Sequence, residues 1–113
     1  MSKITTHILN TTTGKPADDV KIVLSKNENN EWVEIGSGIT NDDGRCTNLV
    51  SEVLKIEKGI YKLKFLTSNY FIKNNVTSFY PFVEITFEIK DDTEHFHVPL
   101  LLNPFGYTTY RGS

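Results

Sequence analysis

The chain is poor in several residue types, and each shortage narrows what it can be. Its 113 residues contain one cysteine, Cys46. That rules out an internal disulfide framework and fits a reducing compartment. No apolar run approaches the roughly 18 residues of a membrane-spanning helix. The opening Met-Ser-Lys-Ile-Thr-Thr-His lacks the apolar stretch and small-residue cleavage site of a secretory leader, so the expected location is the cytoplasm. A formal charge of −2 argues against nucleic acid or an anionic membrane as partner. Arginine is scarce too: the twelve basic residues include only Arg45 and Arg111. A chain that uses lysine for solubility reserves the planar, bidentate guanidinium for places that need it, unless the imbalance is chance.

Alternation of apolar and polar residues fills the rest of the chain. Val83, Ile85, Phe87 and Ile89 alternate with Glu84, Thr86, Glu88 and Lys90, and Tyr61, Leu63 and Phe65 with Lys62 and Lys64. Ile4, Thr6 and Ile8 form another set, as do Val20, Ile22 and Leu24, and Trp32 to Ile35 is a strand of less clear phase. This one-sided, period-two pattern is that of antiparallel sheets burying one face. Turn residues separate the strands at Thr13-Gly14-Lys15-Pro16, Asn27 to Asn30, Asn41-Asp42-Asp43-Gly44 and Asn103-Pro104-Phe105-Gly106. With a short strand at Cys46 to Leu49, the count is eight. One helix of about two turns is expected at Thr67 to Asn75, capped by Thr67 or Ser68. The expectation is all-β: a single domain, residues 1–113, forming an eight-stranded sandwich of two four-stranded sheets with one short helix.

Strand parity decides which residues can meet. If Ile4, Thr6 and Ile8 face the core, then Thr5, His7 and Leu9 face outward. In the strand before the last hairpin, Phe96, Val98, Leu100 and Leu102 form one face, and His95, His97, Pro99 and Leu101 the other. An outer face carrying histidine beside leucine suits coverage by another subunit. In the final strand Thr108, Tyr110 and Gly112 point one way, Tyr107, Thr109 and Arg111 the other.

Three stretches resemble one family, the 5-hydroxyisourate hydrolases of the transthyretin-like group. They are Thr5-Thr6-His7-Ile8-Leu9-Asn10 with Thr13-Gly14-Lys15-Pro16-Ala17; Thr40-Asn41-Asp42-Asp43-Gly44-Arg45-Cys46; and His95-Phe96-His97-Val98-Pro99-Leu100 running on to Tyr110-Arg111-Gly112-Ser113. Phe79-Tyr80-Pro81 and the strand after it also fit. Asn10 stands where the family usually has Asp, at a position read as turn-supporting. The resemblance implies a transthyretin-like sandwich assembled as a homotetramer, with active sites in a channel between dimers. It implies His7, Arg45, His97 and Ser113 as catalytic, and His7, Arg45, Tyr110 and Arg111 as substrate-binding. The implied reaction opens the ring of 5-hydroxyisourate to 2-oxo-4-hydroxy-4-carboxy-5-ureidoimidazoline in urate catabolism, with neither metal nor organic cofactor.

Each candidate has a plainer reading. A strand histidine is ordinarily a surface or interface residue, Arg45 could be a turn-flanking surface arginine, and Arg111 could hold the tail by an ion pair. Ser113 offers a hydroxyl and an α-carboxylate, either of which could orient a histidine. His95, beside the acidic Asp91-Asp92-Thr93-Glu94 turn, reads as a solvated strand start outside the site. His7, His95 and His97 could form a zinc site, but no fourth ligand suggests itself. Two other functions compete: a transthyretin-type carrier of a small aromatic ligand, and a generic adhesion or interaction sandwich.

Overall fold

The computed structural model describes residues 3–113; Met1 and Ser2, on which part of the leader reading rests, lie outside them. The described residues form β1 (Ile4–Asn10), β2 (Lys15–Pro16), β3 (Lys21–Glu28), β4 (Glu31–Ile39), β5 (Arg45–Cys46), β6 (Gly59–Phe65), α1 (Ser68–Lys73), β7 (Val83–Ile89), β8 (Phe96–Asn103) and β9 (Gly106–Thr109). One sheet runs β2-β1-β8-β9 with β5 also pairing β1; the other runs β4-β3-β6-β7. No described helix is long and apolar enough to cross a membrane.

The sandwich and its phases match the alternation in the sequence. Ile4, Ile8, Val98, Leu100 and Leu102 of the first sheet are buried against Ile22, Leu24, Tyr61, Leu63, Phe65, Val83, Ile85 and Ile89 of the second. Burying one such side chain contributes about 1.5–3 kcal/mol, so a one-residue slip in any strand would forfeit several such contributions.

The details depart from expectation in four places. The first sheet has five strands, not four, because Lys15-Pro16 pairs back onto Leu9 and Asn10 instead of forming turn alone. The short strand expected at Cys46 to Leu49 is Arg45–Cys46. The blurred phase at Trp32 to Ile35 has a cause: β4 is longer than expected, and its register against β3 shifts at Leu24/Ser25, where Gly36 and Glu34 are the successive partners and Ile35 is skipped. Finally, β1 and β8 pair in parallel, with Thr5 opposite His97 and His7 opposite Pro99. That contact joins strands too distant in sequence for any turn to announce it.

Helix α1 begins after Thr67, whose side chain makes no capping bond. Ser68 instead donates its hydroxyl to the Pro81 carbonyl at 2.6 Å. Asn10 does support the turn after β1, accepting from the Thr12 and Thr13 amides at 3.0 and 3.3 Å. Its Nδ2 also donates to the Tyr70 hydroxyl at 3.0 Å, a bond that an ionised aspartate could not donate.

Candidate functional site

The site is a row laid across four neighbouring segments of the first sheet. On one flank is the Asn41–Gly44 turn. Asn41 Oδ1 accepts from the amides of Asp43 and Arg45 at 2.9 and 3.0 Å. Gly44, at φ 72°, is in the left-handed region, and a Cβ there would lie 2.5 Å from the Ile8 carbonyl oxygen. Only glycine lets the turn lie so close to β1. The Gly44 carbonyl then accepts from the Ile8 amide at 2.8 Å, and Arg45 is paired with His7.

On the other side of β1, the parallel register sets Thr5 beside His97, with His7 one pleat further on the same face. His7 Nδ1 is 2.7 Å from His97 Nε2, and the rings stack with centroids 4.8 Å apart. His97 Nδ1 is 2.8 Å from the hydroxyl of buried Thr5. Beyond β8 the chain end returns: Gly112 bridges His97 in the register of the last hairpin, its amide donating to the His97 carbonyl at 2.8 Å. The row therefore reads Arg45, His7, His97, Gly112, and it forms one wall of a cleft of about 600 Å³.

Of the residues selected from sequence, His7, Arg45, His97, Tyr110 and Ser113 all line this cleft. Arg111 does not. The pleat that turns Gly112 toward His97 sends Arg111 to the opposite face, where it sits over the Phe96 ring at 4.9 Å and donates to Glu94 Oε2 at 2.7 Å. Both partners are well exposed, so the pair contributes on the order of 1 kcal/mol at most.

Sequence reasoning passed over Lys3, Thr5, Thr47 and His95, which also line the cleft. Thr5 had the necessary signal, since it shares the outward parity of His7. His95, which reads from sequence as a solvated strand start, does lie just before β8, exposed, yet it also lines the cleft.

The electrostatics favour neutral imidazoles. Burial lowers the pKa of His7 below the ordinary value, and the Arg45 charge lowers it further. Burial likewise depresses His97, with added repulsion from His7, Arg45 and His95. No ion pair of the described residues neutralises Arg45. A neutral imidazole pair sharing one proton can take a proton from water and return it elsewhere, next to a guanidinium that can stabilise an anionic oxygen. Among the described residues, no group of three or more His, Cys, Asp or Glu is placed to hold a metal ion.

The family described as HIUase/Transthyretin matches residues 4–112. The chain belongs to this family. Among its members, the mouse 5-hydroxyisourate hydrolase is 46% identical over 114 residues, covering 99% of this chain and 96% of the mouse protein. A probable 5-hydroxyisourate hydrolase of Caenorhabditis elegans is 45% identical over 112 residues, covering 99% and 82%. In three dimensions, the 5-hydroxyisourate hydrolase of Klebsiella pneumoniae aligns over 100% of both chains with a TM-score of 0.87 and 34% identity. Sea bream transthyretin, solved in complex with thyroxine, aligns over 97% of this chain and 94% of its own with a TM-score of 0.90 and 29% identity. The family fold thus accommodates both a hydrolase and a protein solved with thyroxine bound.

Proposed function

We propose that this chain hydrolyses 5-hydroxyisourate to 2-oxo-4-hydroxy-4-carboxy-5-ureidoimidazoline in urate catabolism, without metal or organic cofactor. One observation carries the reading: the hydrogen-bonded His7–His97 pair beside an unneutralised Arg45 in a cleft. Its support is a relative, the mouse 5-hydroxyisourate hydrolase, 46% identical over nearly the whole length. The carrier alternative would need apolar walls but no base, and this cleft is lined by imidazoles, lysine, arginine and hydroxyls.

The chemistry follows from the groups present. A bare imidazole nitrogen of the pair accepts a proton from water as the water oxygen attacks the ring carbonyl carbon. The carbonyl electron pair moves to oxygen, and the developing anion is stabilised by Arg45. When the tetrahedral species collapses, the carbon–nitrogen bond breaks and the leaving nitrogen takes the proton held by the imidazole pair. One water is consumed and the pair returns to its starting state. Tyr110 and Ser113 bound the cleft from the tail side and orient the substrate ring, while Arg111 anchors the tail through Glu94.

The working assembly in this reading is a homotetramer with the histidine face buried between dimers. Leu9 and Leu101 flank the histidines on that face and are only partly buried within one chain. Strands β7 and β9 end their sheets with unpaired edges that a second copy can cover. The single cysteine keeps the cytoplasm as the place of action.

The test is direct: 5-hydroxyisourate is generated in a cuvette from urate and urate oxidase, and its ultraviolet decay is followed. Added protein should accelerate that decay in proportion to its concentration. Decay at the spontaneous rate would remove the hydrolase reading.

A further inference from the structure

All three histidines of the chain belong to one hydrogen-bonded line, and a threonine joins them. His7 Nδ1 contacts His97 Nε2, His97 Nδ1 contacts Thr5 Oγ1, and the same hydroxyl lies 3.4 Å from His95 Nε2. The line runs from His7 at the heart of the cleft to His95, which is exposed.

We propose that Thr5 is a positioning residue that sets the protonation direction of the His7–His97 pair and relays protons between that pair and His95, the solvent end of the line. The proposal rests on the hydrolytic reading above for its role in turnover. It goes beyond that reading in assigning Thr5 and His95, neither of which the mechanism required.

A hydroxyl suits this place because it donates and accepts at once. Thr5 is buried, and the parallel register makes it the direct cross-strand neighbour of His97. When its oxygen accepts from His97 Nδ1–H, His97 Nε2 is bare and accepts from His7 Nδ1–H. His7 Nε2 is then free to take a proton from water. When the hydroxyl instead donates to His97 Nδ1, His97 Nε2–H donates to His7 Nδ1, and His7 Nε2–H faces the cleft ready to protonate a leaving nitrogen. The two directions are the base-ready and acid-ready forms of one line.

A proton shift interconverts them with every atom accounted for. After His7 Nε2 takes the proton from water, the Nδ1 proton of His7 passes to His97 Nε2. The Nδ1 proton of His97 passes to Thr5 Oγ1, and the original hydroxyl proton of Thr5 passes to His95 Nε2. His95 releases its Nδ1 proton to solvent, and the reverse shift resets the line. The other charged or titratable groups around it are Lys3 just before β1, Arg45 on β5, and Tyr110 and the Ser113 carboxylate on the tail. Glu94, next to His95 in sequence, is engaged by Arg111.

Three variants test this: Thr5→Val, which keeps the shape and removes the hydroxyl, Thr5→Ser, which keeps the hydroxyl, and His95→Gln. The first readout needs no substrate. In protein labelled with ¹⁵N-histidine, NMR should show one fixed tautomer for His97 at a given pH, lost in Thr5→Val and restored in Thr5→Ser. The second readout is turnover of 5-hydroxyisourate. Thr5→Val should lower kcat about tenfold with KM held within about twofold, and it should shift the pH profile of kcat; Thr5→Ser should recover both. His95→Gln should lose a few-fold in kcat, recovered by imidazole added as buffer. An unchanged His97 tautomer and kcat in Thr5→Val, or a Thr5→Ser variant as impaired as Thr5→Val, would overturn the relay. A His95→Gln loss indifferent to imidazole would remove His95 from it. Absent turnover in wild-type protein with the NMR response intact would instead refute the substrate reading alone.

Discussion

The α-carbon of Gly112 lies so close to the His97 ring that a Cβ there would be 2.8 Å from His97 Cδ2 and 3.1 Å from Pro99 Cγ. The tail is thus a wall against which the His97 imidazole is set, held by the amide bond of Gly112 to the His97 carbonyl. Gly112→Ala should push either the tail or the ring aside by a few tenths of an ångström or more. Loss of kcat/KM of about tenfold to a hundredfold is expected, the scale of a small misplacement of reacting groups. The core does not involve this residue, so the thermal midpoint should scarcely move. Steady-state kinetics beside a melting curve check both halves.

Arg45 stands next to His7 with no ion-pair partner among the described residues, so its fork is free for an oxyanion. Arg45→Lys keeps the charge but loses the paired donors, and activity should fall at least about tenfold, roughly 1.4 kcal/mol. Arg45→Gln should do more: with the charge gone, the His7 and His97 pKa values rise, and the acid limb of the pH profile moves upward. A wild-type rate in Arg45→Lys would show that the guanidinium does not meet the transition state.

The depressed histidines also tie stability to pH. Unfolded imidazoles protonate as the pH falls past about 6.5, whereas burial and Arg45 hold the folded His7 and His97 neutral to lower pH. Between those limits the unfolded chain binds more protons. Stability should therefore be fully present above pH 6.5 and decline below it, until the folded pair itself protonates. Urea midpoints measured across pH 5 to 8 test this, and His97→Asn should flatten the slope. Because the base must be neutral, turnover should persist below pH 6.5 and fall only as the folded pair titrates.

Removing Tyr110 to Ser113 takes away one side of the cleft while leaving β9 and every core strand in place. The far-ultraviolet dichroism and cooperative melting should survive, and turnover should nearly vanish. Truncated protein that fails to fold would mean the Gly112–His97 bridge carries more of the stability than its half-buried position suggests.

Leu101 lies on the same outward face as His97, two pleats beyond it. Sedimentation of the native protein at micromolar concentration should give a tetramer. Leu101→Glu should leave dimers, because the charge would be buried against its own copy between dimers. A native monomer would remove the proposed assembly.

Much of this molecule was legible from its sequence, because short-range rules are written in alternation and turn residues. Period-two patterning placed the strands and assigned His7 and His97 to outward faces, and Gly44 and the Asn103–Gly106 hairpin marked their turns. The same parity hinted that Arg111 faces away from Gly112. What alternation cannot carry is which strands become neighbours, and at what register. The parallel pairing of β1 and β8 joins residues about ninety positions apart, and that alone set Thr5 beside His97 and His7 within 2.7 Å of the same ring. Parity put His95 on the face of His97, but that a residue just before the strand lines the cleft is likewise a tertiary fact. Composition and periodicity thus determined a β-sandwich with two outward histidines. Only packing decided that three histidines and a threonine would form one line, because hydrogen bonds between side chains depend on positions in space that no local pattern records.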